Sequence, residues 1–346
     1  MPESCGAVGR RMLDVCVVLL DDGYASTALI PVEVFHSAGA LWRRLRGETP
    51  EPRFRVTTAS ISGGPVRSPY GGLSMNPERR LADVMHADIV VVSASGGLPE
   101  PRNSALSPWL KARYVSGAYL AGVCTGAGYL AETGLLDGKR ATTHWAMSSG
   151  FEERYPDVDW RPDLMVTEDS RLLCSGGVTA SSDISLYLVE KLCGHEIAVH
   201  TAKALLLAMP RMHQSGYAVL PLSPVHTDDR IRAAETLIQA KFREALSTEE
   251  LAGEARMSGR TFLRRFKAAT GKVPAAYLQA VRIEAAKAIL EREALPVQAI
   301  SARVGYDDVS FFRMLFKRTT GMTPAEYRAH FAGITARLPE GVSFEA

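Results

Sequence analysis

Residues 262–277 read FLRRFKAATGKVPAAY, and residues 312–327 read FRMLFKRTTGMTPAEY. Phe266-Lys267, Gly271, Pro274 and Tyr277 of the first stretch return as Phe316-Lys317, Gly321, Pro324 and Tyr327, every one 50 residues later. Five positions of uncommon types at one offset mark an internal repeat. Each copy reads as helix, turn, helix. In the first, Ser247-Thr248-Glu249-Glu250 is a capping box, in which the Ser247 hydroxyl takes an exposed amide and Glu250 reaches back. Leu251, Ala252 and Ala255 face inward on the helix that follows. A turn near Met257 leads to a second helix that Ser258 can cap, with Phe262 and Phe266 on one face and Gly271 at its end. In the second copy Pro296 opens a helix containing Ile300, Gly305 supplies the turn, and Asp307 or Asp308 caps a helix holding Phe312 and Phe316, ended by Gly321. Between the copies Pro274 starts a longer helix with Leu278, Val281, Ala285 and Ala288 at spacings of three and four. A connector of roughly 15–18 residues spans about 25 Å. Successive major grooves on one face of a duplex lie about 34 Å apart, so two helices held this way are placed to enter adjacent grooves.

Charge points the same way. Residues 229–331 hold 18 Lys+Arg against 12 Asp+Glu, while the whole 346-residue chain has a net charge of only +2. A basic module on a mildly acidic partner suits an anion-binding domain, although a solvated helical surface shows the same balance. Arg260 and Arg264 are four apart on one helix face, where two guanidinium forks reach guanine edges.

Residues 229–331 resemble the DNA-binding domain of the AraC/XylS family of transcription regulators. The likeness runs through Met257-Ser258-x-Arg260-x-Phe262-x-Arg264-x-Phe266-Lys267, Gly271-x-x-Pro274-x-x-Tyr277, Arg282, Val304-Gly305-Tyr306 and Gly321-x-x-Pro324. It implies recognition helices over about 258–270 and 308–319. Arg260, Leu263 and Arg264 then face bases in the first, and Val309, Ser310 and Arg313 in the second. Lys267, Lys317 and Arg318 are the phosphate candidates. The second helix, less polar with Val309 and Met314, is expected to contribute less sequence reading.

The first two-thirds of the chain alternates strand-sized apolar runs (Val15–Leu20, Phe54–Ala59, Ile89–Ser93, Tyr119–Val123, Leu172–Cys174) with helical patterns (Ala28–Ala40, Gly126–Glu132, Ser182–Leu192). That alternation predicts a mostly parallel sheet covered by helices, with small-molecule sites beyond the C-terminal strand ends. One such end is Ser93-Ala94-Ser95-Gly96-Gly97. Another is Cys124-Thr125-Gly126-Ala127-Gly128, a cysteine on a sharp strand-to-helix turn, which favours a lowered thiol pKa and nucleophilic chemistry. A small buried cysteine in a tight turn has the same spacing.

The stretch from Val123-Cys124-Thr125-Gly126 through Gly134-Leu135-Leu136-Asp137-Gly138 to Thr143-His144-Trp145 resembles the PfpI/ThiJ superfamily, of class I glutamine-amidotransferase-like fold. The resemblance covers residues 12–215 and implies a flavodoxin-like parallel sheet. In enzymes of that superfamily the elbow cysteine is the nucleophile, supported by an acid from the first strand–helix loop. Here Thr27 stands where many relatives carry that acid, with Asp21 and Asp22 nearby. His144 is either a base lining the same pocket or a core residue beside Trp145. Asp183 is expected to be an N-terminal helix cap, and His195-Glu196 a solvated helix end.

The expected organisation is thus an α/β sensing and dimerisation domain over 12–215, a linker over 216–228, an all-α domain with two helix-turn-helix units over 229–331, and a frayed tail over 332–346. The reading is a regulator that binds double-stranded DNA and is controlled by a small-molecule effector near Gly96, Gly97, Cys124, Thr125, His144 and Trp145. The competing reading is a cysteine-dependent hydratase or amidohydrolase fused to a DNA-binding module. A homodimer is expected, and RNA polymerase is a candidate partner. No cofactor is expected. Hydrophobic residues at 46% and charged residues at 23% exclude bulk disorder and collagen-like repetition. No run reaches the ~18 uncharged apolar residues of a membrane span. Cys5, Cys16, Cys124, Cys174 and Cys193 form no CxxC and no metal-ligand spacing. Free thiols and the absence of a signal-like N-terminus point to the cytoplasm.

Overall fold

The computed structural model describes residues 11–218, 223 and 226–332. Cys5, part of the 216–228 segment and nearly all of the 332–346 tail therefore lie outside the described residues. The chain divides into two compact units, residues 1–215 and 216–346. Among the described residues no helix is long and apolar enough to cross a membrane.

The first unit begins β1 (Leu13–Val18), α1 (Ser26–Ser37), α2 (Leu41–Leu45), β2 (Phe54–Ser60), β3 (Val66–Arg67), β4 (Ser74–Met75), β5 (Arg79–Arg80), β6 (Ile89–Val92), α3 (Leu106–Val115) and β7 (Tyr119–Val123). It continues α4 (Ala127–Ala131), β8 (Arg140–Ala141), α5 (Ser148–Arg154), β9 (Asp159–Trp160), β10 (Val166–Asp169), β11 (Leu172–Ser175), α6 (Ala180–Cys193) and α7 (His195–Leu205). Seven strands form the main sheet in the order β10-β11-β7-β6-β1-β2-β5. Every pairing in it is parallel except β10 with β11.

Alternation explains why the apolar runs become central strands. Cys16, Val18, Val90, Val92 and Leu120 enter one core with Leu106, Leu110 and Leu130. Their chain neighbours Val15, Val17, Ile89, Val91 and Ala121 enter the other with Phe35, Ile184 and Leu188. Side chains of a strand point alternately to the two faces, so a run apolar at every position is stable only when helices cover both. The chain leaves β1 toward β2 and returns on β1's other side as β6, so strand order reverses between β1 and β6, where ligands of open α/β sheets bind.

The second unit holds α8 (Asp229–Ala240), α9 (Thr248–Glu254), α10 (Gly259–Thr270), α11 (Pro274–Arg292), α12 (Val297–Arg303), α13 (Val309–Thr320) and α14 (Pro324–Phe331). The repeat is a structural one. Tyr277 meets Phe266 edge-on with centroids 5.5 Å apart, and Tyr327 meets Phe316 at the same distance. Gly271 and Gly321 end α10 and α13 at φ +72° and +79°, a conformation glycine adopts without steric cost. Pro274 and Pro324 stand at first helical positions, where no amide is needed. Ser247 and Glu250 form the expected capping box, and Thr323 with Glu326 forms a second one that the sequence reading had not singled out. Ser258, by contrast, makes no side-chain cap, and its hydroxyl donates to Thr261 Oγ1. Asp308 rather than Asp307 caps α13, accepting from the Ser310 and Phe311 amides.

The two helix-turn-helix units have separate cores. Ile231, Ile238, Leu251, Phe262, Phe266 and Tyr277 fill one, and Ile283, Leu290, Ile300, Phe312, Phe316 and Tyr327 fill the other. The 19 residues of α11 contribute to both and span about 28 Å. Arg282 on α11 ties them further by donating to the Phe242 and Glu244 carbonyls while its guanidinium lies 5.0 Å from the Tyr306 ring centroid. Residues 216–218 pack on this unit as well: Lys287, buried, donates to the Ala218 carbonyl, and the Tyr217 hydroxyl meets His330 Nε2 at 2.8 Å.

Candidate functional site

On α10, Phe262, Phe266 and Thr270 are buried, which leaves Arg260, Leu263, Arg264, Lys267 and Ala268 exposed. Arg265 turns back to grip the Asp228 carboxylate through two bonds of 2.8 and 2.9 Å, so it belongs to the scaffold rather than to this face. On α13, Phe312, Leu315, Phe316 and Thr320 are buried and Ser310, Arg313, Lys317 and Arg318 are exposed, with Val309 half-buried. Among the described residues no carboxylate lies within salt-bridge distance of Arg260, Arg264, Lys267, Arg313, Lys317 or Arg318. Six cations on two solvent-facing helix surfaces are therefore free of salt bridges among the described residues, with Lys317 acting on Glu326 only at longer range.

The turns of the two units differ. The first helices start 49 residues apart, at Thr248 and Val297, and the second helices 50 apart, at Gly259 and Val309. The second turn is one residue longer. Its left-handed position is Gly305 at φ +88°, where an added Cβ would sit 2.7 Å from the Arg243 carbonyl oxygen. The equivalent position in the first turn is Arg256, at φ +50°.

In the first unit Cys124 sits where β7 breaks into α4, at φ +57°, in the left-handed region that a non-glycine residue occupies only under constraint. Gly126 makes the sharp turn possible: a Cβ there would fall 2.3 Å from the Val92 carbonyl oxygen. The expected elbow is present, and of its two readings the structure favours the small buried cysteine over the activated thiol. Cys124 is 6% exposed, and burial pushes its thiol up to about 11, against the smaller opposing effect of the Thr125 amide. Loss of hydration of the thiolate outweighs one amide dipole.

Among the described residues no acid occupies the position the PfpI/ThiJ resemblance reserves for one. Thr27 is fully buried; its hydroxyl donates to the Tyr24 carbonyl at 2.6 Å and accepts the Ala94 amide at 3.0 Å, so it finishes the end of β6. Asp22 pairs with Arg102 at 2.6 Å, and Asp21 accepts the Arg67 amide at 2.9 Å. Thr125 clamps the other loop, its hydroxyl donating to the Ser95 carbonyl and accepting the Ser95 amide. Gly96 is exposed and Gly97 half-exposed on that loop.

His144 and Trp145 are half-exposed, their rings 5.4 Å apart. His144 Nδ1 accepts the Ala146 amide at 3.1 Å, and partial burial holds its pKa below the usual histidine value, so the ring is neutral at pH 7. The neighbouring Thr143 hydroxyl donates to the Cys124 carbonyl, bringing this loop beside the elbow. Gln214, which the sequence reading passed over, pins the same loop by donating to Thr142 Oγ1 and the Thr143 and Leu164 carbonyls and accepting the Trp145 amide. A cavity of about 270 Å³ opens nearby. It is lined by Pro99, Asn103, Tyr129, Glu132 and Arg154 among others, and none of the six residues expected to line the effector pocket borders it.

Asp183 is not the expected cap. It lies inside the first turn of α6 and binds Arg211 from a distant loop, with contacts of 2.6 Å to the guanidinium and 2.7 Å to the amide. His195 and Glu196 do begin a helix at the surface, with His195 Nδ1 3.0 Å from Glu190. Asp14, His86 and Asp88 bring potential ligand atoms within 4.8 Å of one another, which cysteine spacing could not foretell, but Arg11 already holds Asp88 at 2.6 Å.

The raised thiol carries a testable consequence. Only about one Cys124 in a thousand is ionised at pH 8 if its pKa is 11. Alkylation of Cys124 in the folded chain should be far slower than that of a free thiol and should rise about tenfold per pH unit up to pH 10. A plateau below pH 7, followed by mass spectrometry of the modified peptide, would contradict this.

Residues 14–191 match the DJ-1/PfpI family, and residues 251–330 match a helix-turn-helix domain. The HTH-type transcriptional regulator CdhR of Pseudomonas aeruginosa is 28% identical over 278 residues, covering 80% of this chain and 82% of that protein. The HTH-type transcriptional regulator GbdR of the same species is 25% identical over 277 residues, covering 80% and 75%. The isonitrile hydratase of Pseudomonas putida is 31% identical over 168 residues, 48% of this chain and 72% of that enzyme. The first two similarities extend across both units, whereas the enzyme is matched by less than half of the chain. The chain belongs to the DJ-1/PfpI family and carries an AraC-type helix-turn-helix domain C-terminal to that fold.

Proposed function

We propose that this chain is a sequence-specific DNA-binding transcriptional regulator whose α/β unit senses a small molecule. The observation that carries the reading is the pair of helices α10 and α13, each second in a helix-turn-helix, each presenting unpaired cations to solvent and joined by one continuous helix. Arg260, Leu263 and Arg264 contact base edges from α10; Val309, Ser310 and Arg313 are the corresponding contacts from α13. Lys267, Lys317 and Arg318 bind phosphates. Resemblance to two regulators across both units supports the same role.

The α/β unit is a sensor rather than an enzyme in this reading. Its elbow cysteine is held protonated by burial, and the two nearby aspartates are committed elsewhere. The effector binds near the loops of Gly96, Gly97, Cys124, Thr125, His144 and Trp145, and a homodimer of the chain presents four helix-turn-helix units to paired half-sites.

Salt titration tests the DNA reading. Three phosphate contacts per bound chain contribute a slope of about −2.7 in log affinity against log salt, hence a loss of about 40-fold per chain between 50 and 200 mM. Lys267→Ala and Lys317→Ala should each lower the slope by about one without altering base preference. An affinity that does not change with salt would overturn the reading.

A further inference from the structure

The two recognition helices place different chemistry at equivalent positions. At the 50-residue offset Arg260 corresponds to Ser310, Thr261 to Phe311 and Arg264 to Met314. With 100° per residue, the buried Phe312, Leu315, Phe316 and Thr320 centre on one side of α13, and the opposite line runs through Met314, with Ser310 and Arg318 beside it. Met314 therefore occupies the middle of the outward face, as Arg264 does on α10. It is 56% exposed, and Phe311 on the adjacent turn is 40% exposed, its ring resting 5.9 Å from that of Tyr306.

A single exposed apolar side chain needs no explanation. Met314 needs one because it stands at the centre of the outward face of the second helix of a helix-turn-helix, with Ser310, Lys317 and Arg318 around it, whereas Phe311 lies about 60° to one side and lines a cleft with Leu251, Leu278 and Tyr306. Lys317 and Arg318 beside Met314 have no salt-bridge partner among the described residues and suit a phosphate backbone rather than an apolar protein surface. In the major groove, thymine is the base that offers an apolar group, its 5-methyl, beside the O4 acceptor. A methionine thioether is flexible and polarizable enough to lie against such a methyl.

We propose that α13 reads a thymine 5-methyl group through Met314, with the Ser310 hydroxyl available to the adjacent O4, whereas α10 reads guanine through Arg260 and Arg264. This rests on the DNA-binding reading above. It replaces the expectation that the second helix contributes less sequence reading. The half-site under α13 then holds a thymine, and its recognition depends on a methyl group rather than on guanidinium forks.

The test uses the full chain and a duplex enriched from a random library. Replacing the thymines under the second half-site by deoxyuridine removes the 5-methyl and leaves every hydrogen-bonding group in place. Wild-type affinity should fall about fourfold per contacted methyl. Met314→Ala, a change on a solvent face, should lose a similar factor on the thymine duplex and respond much less to deoxyuridine. Met314→Arg should move the preferred base at that position from thymine toward guanine. Equal wild-type affinity for thymine and deoxyuridine duplexes, or undiminished methyl sensitivity in Met314→Ala, overturns the proposal while leaving DNA binding intact. Failure of the chain to enrich any duplex overturns the DNA-binding reading itself, and this proposal with it.

Discussion

Replacing Arg260 and Arg264 together by alanine is expected to remove the base preference under α10 while leaving the fold and the preference under α13 intact. Both side chains are exposed on α10, and neither has a salt bridge to lose among the described residues. A bidentate guanidinium–guanine pair is worth about 1–3 kcal/mol of discrimination, so losing two costs roughly 30-fold to 10⁴-fold in the preference for the selected site over random sequence. Competition binding against random duplex measures this ratio. The lysine replacements at both positions should not restore it, because a point charge cannot form the planar fork. Salt-dependent binding through Lys267, Lys317 and Arg318 should survive, together with the thymine preference of α13. If the double alanine variant keeps the preference under α10, α10 does not read bases.

Phe316→Ala is expected to unfold one helix-turn-helix and spare the other. Phe316 is fully buried, lies edge-on to Tyr327 and touches Phe312 with ring centroids 5.7 Å apart. Truncating a buried phenylalanine costs about 3–5 kcal/mol, a large share of what a domain of this size has. The first core, around Phe262, Phe266 and Tyr277, contains neither Phe316 nor its neighbours. Hydrogen exchange should therefore show protection lost over α12–α14 and retained over α8–α10. The mirror change, Phe266→Ala, should reverse the pattern. Uniform loss across all seven helices would show that α11 fuses the two cores into one cooperative unit.

The repeat was legible because it combines short-range signals: a helix-ending glycine, a proline at a first helical position, and aromatic residues spaced to meet on one face. The central strands were legible for a similar reason, since β1, β6 and β7 are apolar at nearly every position. Other elements carried too little of that signal. In α3 only Leu106 and Leu110 are buried, too few to set a helical period. The edge strand β10, Val166–Asp169, is apolar only at Val166 because it has one hydrogen-bonded neighbour. Residues whose roles a local pattern misplaces or leaves open depend on distant partners. Asp183 reads locally as a cap, yet Arg211 claims it across 28 positions. Cys124 reads locally either as an activated elbow or as a small buried thiol, and loop packing around β6 decides for the second by burying it and raising its pKa. Gln214 pins the His144 loop from 69 residues away, and no local pattern marks it. On α13, the repeat located Met314, but its place at the centre of the outward face emerged only once the buried positions were known.

The central claim is that α10 and α13 enter successive major grooves. Selection of binding sites from a random duplex library by the full chain tests it directly. The account predicts a two-block motif whose blocks are centred about 10 base pairs apart, the first reduced by Arg264→Ala and the second by Met314→Ala. A library that emerges without any enriched sequence, or with a single short block indifferent to both substitutions, would contradict it.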